Sequence, residues 1–184
     1  EAGVDAIVAE GFEAGGHNGR DETTTFCLIP NVKNHISKPL IAAGGIALGS
    51  QMKAAMILGA DGVQIGSRFA ATVEASAHNN WKNKIVELNE GDTHLTLKEL
   101  APVRMVKNKF FHDLENLYET GRNAEALKET LGRARAKKGM FEGDLEEGEL
   151  EIGQVSALIH EILPVEKVFE NLLREFRASS VVDL

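Results

Sequence analysis

The apolar residues in the first third of the chain occur in three short runs that each stop at glycine. The runs are DAIVAEG over residues 5–11, PLIAAGG over 39–45 and DGVQIGS over 61–67. Each run has the length and composition of a buried strand. We therefore predict strands at 4–10, 39–43 and 61–65.

The segments between these runs predict how the strands are connected. Residues 24–36 and 49–58 have helical spacing. Strand and helix thus alternate with short connections, which predicts right-handed crossovers and a parallel sheet. Gly11, Gly44 and Gly66 should then lie at one common end of that sheet.

The spacing of apolar residues changes after residue 69 and becomes mainly helical. Helices are predicted at 74–90, 109–119, 123–137, 154–161 and 165–177, with an extended stretch at 94–97. Residues 139–153 are glycine-spaced and acidic, which predicts a solvated loop.

The three glycine-ended runs are typical of an α/β barrel. In a (β/α)8 barrel the ligand binds at the carboxyl ends of the strands, and the loops after the last two strands often hold phosphate. Such a barrel needs roughly 250 residues, whereas only three barrel-like strands are predicted here. The chain also opens on Glu1 rather than Met. We expect the C-terminal portion of a (β/α)8 TIM barrel, taken from a larger enzyme.

Composition narrows the class of protein further. The chain has 184 residues, 43% of them hydrophobic, and a net charge of −8, which disfavours nucleic acid as a partner. It has no apolar run long enough to predict a membrane span. The single Cys27 excludes an internal disulfide and a cysteine-based metal cluster, and the histidines lack ligand-like spacing, so no metal site is predicted. A cytoplasmic location is the expectation.

The loop after the first strand carries the strongest candidate for chemistry. His17 lies among glycines that include Gly15 and Gly16, which keep the backbone close to a ligand and the imidazole accessible. A histidine side chain can take or give a proton near neutral pH. The alternative is a surface histidine without a role. The nearby Glu10 would either orient a substrate or His17, or form an ion pair with a lysine or arginine.

The ends of the second and third strands predict an anion site. Backbone N–H groups at Gly44, Gly45 and Gly66, a helix N-terminus and the Ser67 hydroxyl would point at a phosphate. The alternative is a pair of ordinary strand-to-helix turns. Gln64 lies near the buried end of its strand, and a buried amide needs a partner, either a cofactor ring or the backbone.

These motifs resemble the flavin-dependent nitronate monooxygenase family, also called 2-nitropropane dioxygenases, and the related flavin-type enoyl-ACP reductases. The similarity lies in DAIVAEGFEAGGHNG at 5–19, PLIAAGGIALG at 39–49 and LGADGVQIGSRF at 58–69, with GQVSA at 153–157 resembling the stretch that returns beside the flavin. The resemblance implies a (β/α)8 barrel with a smaller, mostly helical cap. It predicts barrel units at 1–73, a cap at 74–140, and an acidic loop with packing helices at 141–184.

The resemblance also implies residue roles and a cofactor. His17 would be the active-site histidine, and the FMN contacts would be Gly15, Gly16, Gly44, Gly45, Gln64, Gly66 and Ser67. The implied activity is oxidation of alkyl nitronates or nitroalkanes with O2, with the histidine removing the α-proton of a neutral nitroalkane. The alternative is NAD(P)H-dependent reduction of an enoyl thioester on the same site.

A third hypothesis concerns the chain by itself. Three parallel strands without a closed barrel leave edges that pair readily. The inner faces of Ile7, Ile41 or Val63, depending on register, would also be exposed. We expect self-association or association with a missing partner, and the chain alone is alternatively an inactive fragment.

Overall fold

Two small three-stranded sheets with helices packed around them make up the structure. The computed structural model describes residues 3–120 and 124–180. The strands are β1 Ile7–Glu10, β2 Gly16–His17, β3 Leu40–Ala43, β4 Gly62–Gln64, β5 Thr93–Thr96 and β6 Val103–Val106. The α-helices are α1 Thr25–Lys33, α2 Gly49–Ile57, α3 Ser67–Ala70, α4 Asn79–Glu87, α5 Lys109–Glu119, α6 Ala124–Leu131 and α7 Val165–Ala178, with a π turn at Lys137–Phe141 and a 3-10 turn at Gln154–Leu158.

The first sheet confirms the predicted parallel arrangement. Its order is β1-β3-β4, and both pairs are parallel. Glu10 pairs with Ala43, and Ala43 pairs with Gln64, so the three strands finish level with one another. The glycines Gly11, Gly44 and Gly66 therefore lie at one common end, as predicted.

The register of this sheet decides which apolar side chains it buries. Ile7 and Val63 pack with the core formed against α1 and α2, together with the fully buried Leu40. Because side chains alternate along a strand, Val8 and Ile41 face the other side, and Val8 remains 51% exposed. The sheet is covered on one face and open on the other. Helix α7 packs along α2.

The second sheet is antiparallel and was not predicted. Its order is β2-β6-β5. The predicted extended stretch at 94–97 is confirmed as β5. All four residues of β6 are buried, so its sequence lacks the alternation that marks a half-buried strand. Within the predicted helical cap, the structure thus contains two strands as well as helices.

Several predicted boundaries are wrong because local spacing does not report tertiary pairing. The helix predicted at 74–90 begins only at Asn79, where His78 accepts a hydrogen bond from Asn80 N as its N-cap. The segment predicted as a helix at 154–161 forms a short 3-10 turn. The helix predicted at 123–137 starts at the edge of the described residues and ends at Leu131.

The acidic segment at 139–153 is not a solvated loop throughout. Leu150 and Ile152 are buried in a core with Trp81 and Ile85 of α4. Val106 N donates a hydrogen bond to Leu150 O, and Glu151 forms a bridge with Met105. The apolar residues between the acids, rather than the acids, decide where this segment lies.

Arg104 of β6 joins the second sheet to the loop that follows β1. The residue is 2% exposed, and its guanidinium donates to the Phe12 carbonyl from Nε (3.2 Å) and Nη2 (2.9 Å) while lying 4.7 Å from the Phe12 ring centre. A buried cation needs such partners because desolvation is costly.

Among the helices that the structure describes, none is both long and apolar enough to cross a bilayer.

We expect Arg104→Ala to lower the free energy of unfolding by about 2–4 kcal/mol, because it removes charge-assisted hydrogen bonds and leaves a buried carbonyl unpaired. Arg20→Ala is the matched control: Arg20 also donates to two backbone carbonyls, those of Lys98 and Leu100, but is exposed. Its change should stay within about 0.5 kcal/mol. Urea unfolding measures both, and equal losses would contradict this account of Arg104.

Candidate active site

A cleft of about 310 Å³ opens at the common end of the first sheet. Its walls come from the ends of all three strands, from the loop after β1 and from the segment around residues 151–155. The predicted residues that line it are Gly15, Gly44, Gly45, Gln64, Gly66 and Ser67. The structure therefore brings together six residues that lie as much as 52 positions apart along the chain.

Free backbone donors line part of this cleft. Among the described residues, no carbonyl accepts a hydrogen bond from the N–H of Gly45 or of Ser67. A Cβ placed on Gly66 would meet no atom within 4 Å, and its φ is not positive, so the space above it is open. Unpaired N–H groups beside an open space favour an anionic ligand.

Gly44 is glycine for a different reason. Its φ is +81°, and a Cβ there would lie 2.5 Å from Gly11 O. Close contact between β1 and β3, rather than contact with a ligand, requires glycine at this position.

Ser67 also holds the far wall of the cleft. Its Oγ accepts a hydrogen bond from Gly153 N at 3.0 Å, and Gln154 N donates to Glu13 O at 2.9 Å. The backbone of residues 153–154 is thus fixed between the end of β4 and the loop after β1. The Ser67 hydroxyl still has its own proton to donate to a ligand.

Glu13 brings a negative charge to the cleft that is already compensated. Its carboxylate accepts a hydrogen bond from Thr25 N (2.9 Å), the first residue of α1. The Thr25 hydroxyl lies 2.9 Å from Gly44 O, which it can bond in turn. A helix N-terminus stabilises a carboxylate, so Glu13 is less of an obstacle to a second anion.

Gln64 is not buried, contrary to the sequence-based expectation. The residue is exposed at the end of β4, on the same face of the sheet as Glu10 and Ala43. Its amide needs no protein partner there and is available to a ligand in the cleft.

His17 faces a neighbouring cavity rather than the cleft itself. The residue lies in β2, where it pairs with Val103, and not in an irregular loop. The neighbouring cavity measures about 230 Å³ and is lined by His17, Glu149 and Arg135 beside apolar side chains. Gly16, the residue before His17, is buried, and a Cβ there would lie 2.5 Å from Glu151 Oε2.

Two acidic residues of the cavities, Glu149 and Glu151, were not candidates from the sequence. Glu149 is 9% exposed, and burial, with a smaller contribution from Glu151, raises its pKa to about 7. Burial also raises the pKa of Glu151, an effect that the nearby His17 reduces. The apolar residues Leu150 and Ile152 beside them were the available signal, because apolar residues within an acidic stretch indicate anchoring in a core.

The raised pKa of Glu149 links protonation to stability. The unfolded chain releases this proton near pH 4.5, the ordinary value, whereas the folded protein keeps it up to about pH 7. The stability contributed by the protonated form is therefore complete below pH 4.5 and is lost as the pH rises to about 7.

Among the described residues, no group of three or more His, Cys, Asp or Glu side chains is arranged to hold a metal ion.

Comparison with known proteins identifies relatives of this chain. The family model for nitronate monooxygenase matches residues 1–175. The probable nitronate monooxygenase of Bacillus subtilis (strain 168) is 36% identical over 183 residues, which make up 95% of this chain and 52% of that protein. The chain thus spans about half the length of the curated relatives it matches.

Two solved structures have the same fold over almost the whole chain. FabK from Thermotoga maritima superposes with a TM-score of 0.89 at 40% identity, covering 96% of this chain and 56% of that one. Nitroalkane oxidase from Streptomyces ansochromogenes gives a TM-score of 0.76 at 31% identity, covering 96% and 53%. With a family match that extends over nearly all of its residues, this chain belongs to the nitronate monooxygenase family.

Proposed function

We propose that the chain supplies the FMN phosphate site and the active-site histidine of a flavin-dependent oxidoreductase that oxidises alkyl nitronates and nitroalkanes. The observation that carries the proposal is the cleft with unpaired N–H groups at Gly45 and Ser67 beside the open space over Gly66. Family membership supports the reaction class.

The shape of the cleft fits a ligand longer than a phosphate. A different cavity of about 560 Å³, on another side from the one that His17 faces, shares Glu13, Gly45 and Val155 with the wall of the cleft. Together the two cavities reach the size range of cofactor sites. We propose that the phosphate of FMN lies at Gly45 and Ser67, and that the exposed amide of Gln64 and the backbone at Gly15 and Gly44 contact the remainder.

When bound, the flavin would supply the redox chemistry, and dioxygen would complete the oxidative denitrification. The role of the protein is binding, orientation and proton transfer. We propose that His17 removes the α-proton from a neutral nitroalkane, and that the electron pair of the broken C–H bond forms the C=N bond of the nitronate, whose charge lies on the nitro oxygens. A pre-formed nitronate needs no such step.

The alternative activity, reduction of an enoyl thioester with NAD(P)H, uses the same cleft and the same histidine. Two measurements on the flavin-loaded protein distinguish them. Rapid flavin reduction by NAD(P)H would favour the reductase, whereas turnover of a nitronate with O2 and no pyridine nucleotide would favour the monooxygenase. Turnover of neither substrate would contradict both and favour the inactive-fragment hypothesis.

We also propose that the first sheet is part of a (β/α)8 barrel and pairs with further strands through β1 and β4, its two edges. Unpaired edges beside exposed apolar residues such as Val8 promote association. We expect the 184-residue chain to form oligomers by light scattering, and Val8→Lys to shift it toward monomer. A monomeric wild-type chain would contradict this proposal.

Gly66→Ala tests the phosphate site without disturbing the fold. The added methyl group occupies open space, so the free energy of unfolding should change by no more than about 0.5 kcal/mol. The same group should displace the anion and weaken FMN binding by about 1.5–3 kcal/mol, the worth of a hydrogen bond to a charged group.

Gly19→Ala is the matched control for this test, because a Cβ on Gly19 also meets nothing within 4 Å but lies outside the cleft lining. It should change neither quantity. Flavin fluorescence titration gives the affinity, and urea unfolding gives the stability. Equal FMN affinity in all three proteins would rule out this location for the phosphate.

His17→Ala tests the catalytic proposal in the flavin-loaded enzyme. Turnover of a neutral nitroalkane should fall by roughly 10²–10⁴-fold, the range for a lost general base. Turnover of the corresponding pre-formed nitronate should fall much less, since no proton is removed. Oxygen consumption measures both rates, and equal losses would indicate that His17 only positions the substrate.

A further inference from the structure

Glu151 lies beside His17 as a consequence of pairing along β6. His17 is opposite Val103, and Glu151 is opposite Met105, two residues further along the same strand. Gly16 separates them, and the position of its missing Cβ lies 2.5 Å from Glu151 Oε2. The carboxylate of Glu151 therefore lies against the backbone that carries the histidine.

Glu149 lines the neighbouring cavity into which His17 also faces. It is more than nine-tenths buried. Among the described residues, no side-chain or backbone donor bonds its carboxylate. The carboxylate oxygens keep contact with the cavity, so the group can gain or lose a proton there.

The charged groups around Glu149 and Glu151 leave the Glu149 carboxylate without a hydrogen-bond donor among the described residues. Arg135 lines the cavity, but its guanidinium donates to the carbonyls of Thr130, Leu131 and Glu147 and to the Glu147 carboxylate. On the cleft side the nearest charged groups are Glu10 and Glu13, which line the cleft with Glu151. The charged or titratable groups around Glu149 and Glu151 are therefore the His17 imidazole, the Arg135 guanidinium, which is already hydrogen-bonded elsewhere, and the carboxylates of Glu10 and Glu13.

We propose that Glu149 and Glu151 form a carboxyl pair that takes the proton from His17 after each proton abstraction and releases it into the neighbouring cavity. The proposal rests on the proposed function. The substrate C–H bond breaks, and its proton passes to the imidazole. The imidazolium then gives that proton to a carboxylate of the pair, which restores neutral His17 before water takes the proton away.

The position of the pair suits this role in two respects. Glu151 lines the cleft, whereas Glu149 lines the cavity that His17 faces, so the pair has one member in each space. Burial raises the pKa of Glu149 to about 7. A carboxyl group that titrates near neutral pH exchanges a proton with an imidazole at little free-energy cost.

Carbon-13 NMR titration of the glutamate side chains tests the pair in the chain without a cofactor. We expect the signal of Glu149 to titrate near pH 7, and Glu151→Gln to lower that midpoint, because a neighbouring negative charge is removed. His17→Asn should raise the midpoint of Glu151, because it removes a positive neighbour. A Glu149 midpoint near 4.5, or no response to either substitution, would overturn the proposal.

Nitroalkane turnover by the flavin-loaded enzyme tests the relay. Glu149→Gln should slow turnover of a neutral nitroalkane by less than the roughly 10²–10⁴-fold loss expected for His17→Ala. It should also change the pH dependence of neutral nitroalkane turnover. Turnover of the pre-formed nitronate should be unchanged. Equal slowing of both substrates, or an unchanged pH profile, would overturn the relay.

Glu146→Gln is the matched control, since Glu146 is an exposed acid of the same segment outside both cavities. It should leave both rates and the NMR midpoints unchanged. If the wild-type enzyme and this control both fail to turn over nitroalkane, the proposed function is contradicted. The NMR titration then still decides whether the carboxyl pair is coupled to His17.

Discussion

The loop between β1 and α1 is held between the two sheets, and the candidate site depends on that constraint. Arg104 fixes the loop through the Phe12 carbonyl, and Gln154 N fixes it through Glu13 O. A Cβ on Gly15 would overlap the backbone of Ile152. Because the loop is fixed there, its next residues enter β2 and place His17 in the cavity beside the cleft.

Negative charge surrounds this site, and the structure accommodates it in two ways. Glu13 is bonded to the N-terminus of α1, so its charge is compensated locally. Among the described residues, no hydrogen-bond donor reaches the carboxylate of Glu149 or Glu151, and burial raises the pKa of each.

The sequence predicted the parallel sheet well because its information is local. Apolar runs that end at glycine identified β1, β3 and β4, and right-handed crossovers fixed their order and their common end. The glycines, Gln64 and Ser67 of the cleft followed from that geometry. The sequence failed for β6, whose residues are all buried, and for Glu149, whose burial depends on contacts formed by its neighbours.

By itself the sequence determined the βαβ pattern, the glycine-lined end of the sheet and the identity of His17 as the candidate acid–base residue. Only the tertiary structure decided that Val8 rather than Ile7 faces the open side, that Gln64 is exposed, and that Glu151 lies near His17. The physical reason is that register and long-range pairing with β6 select which face of each segment is buried. A one-residue change of register reverses that choice, so local composition cannot report it.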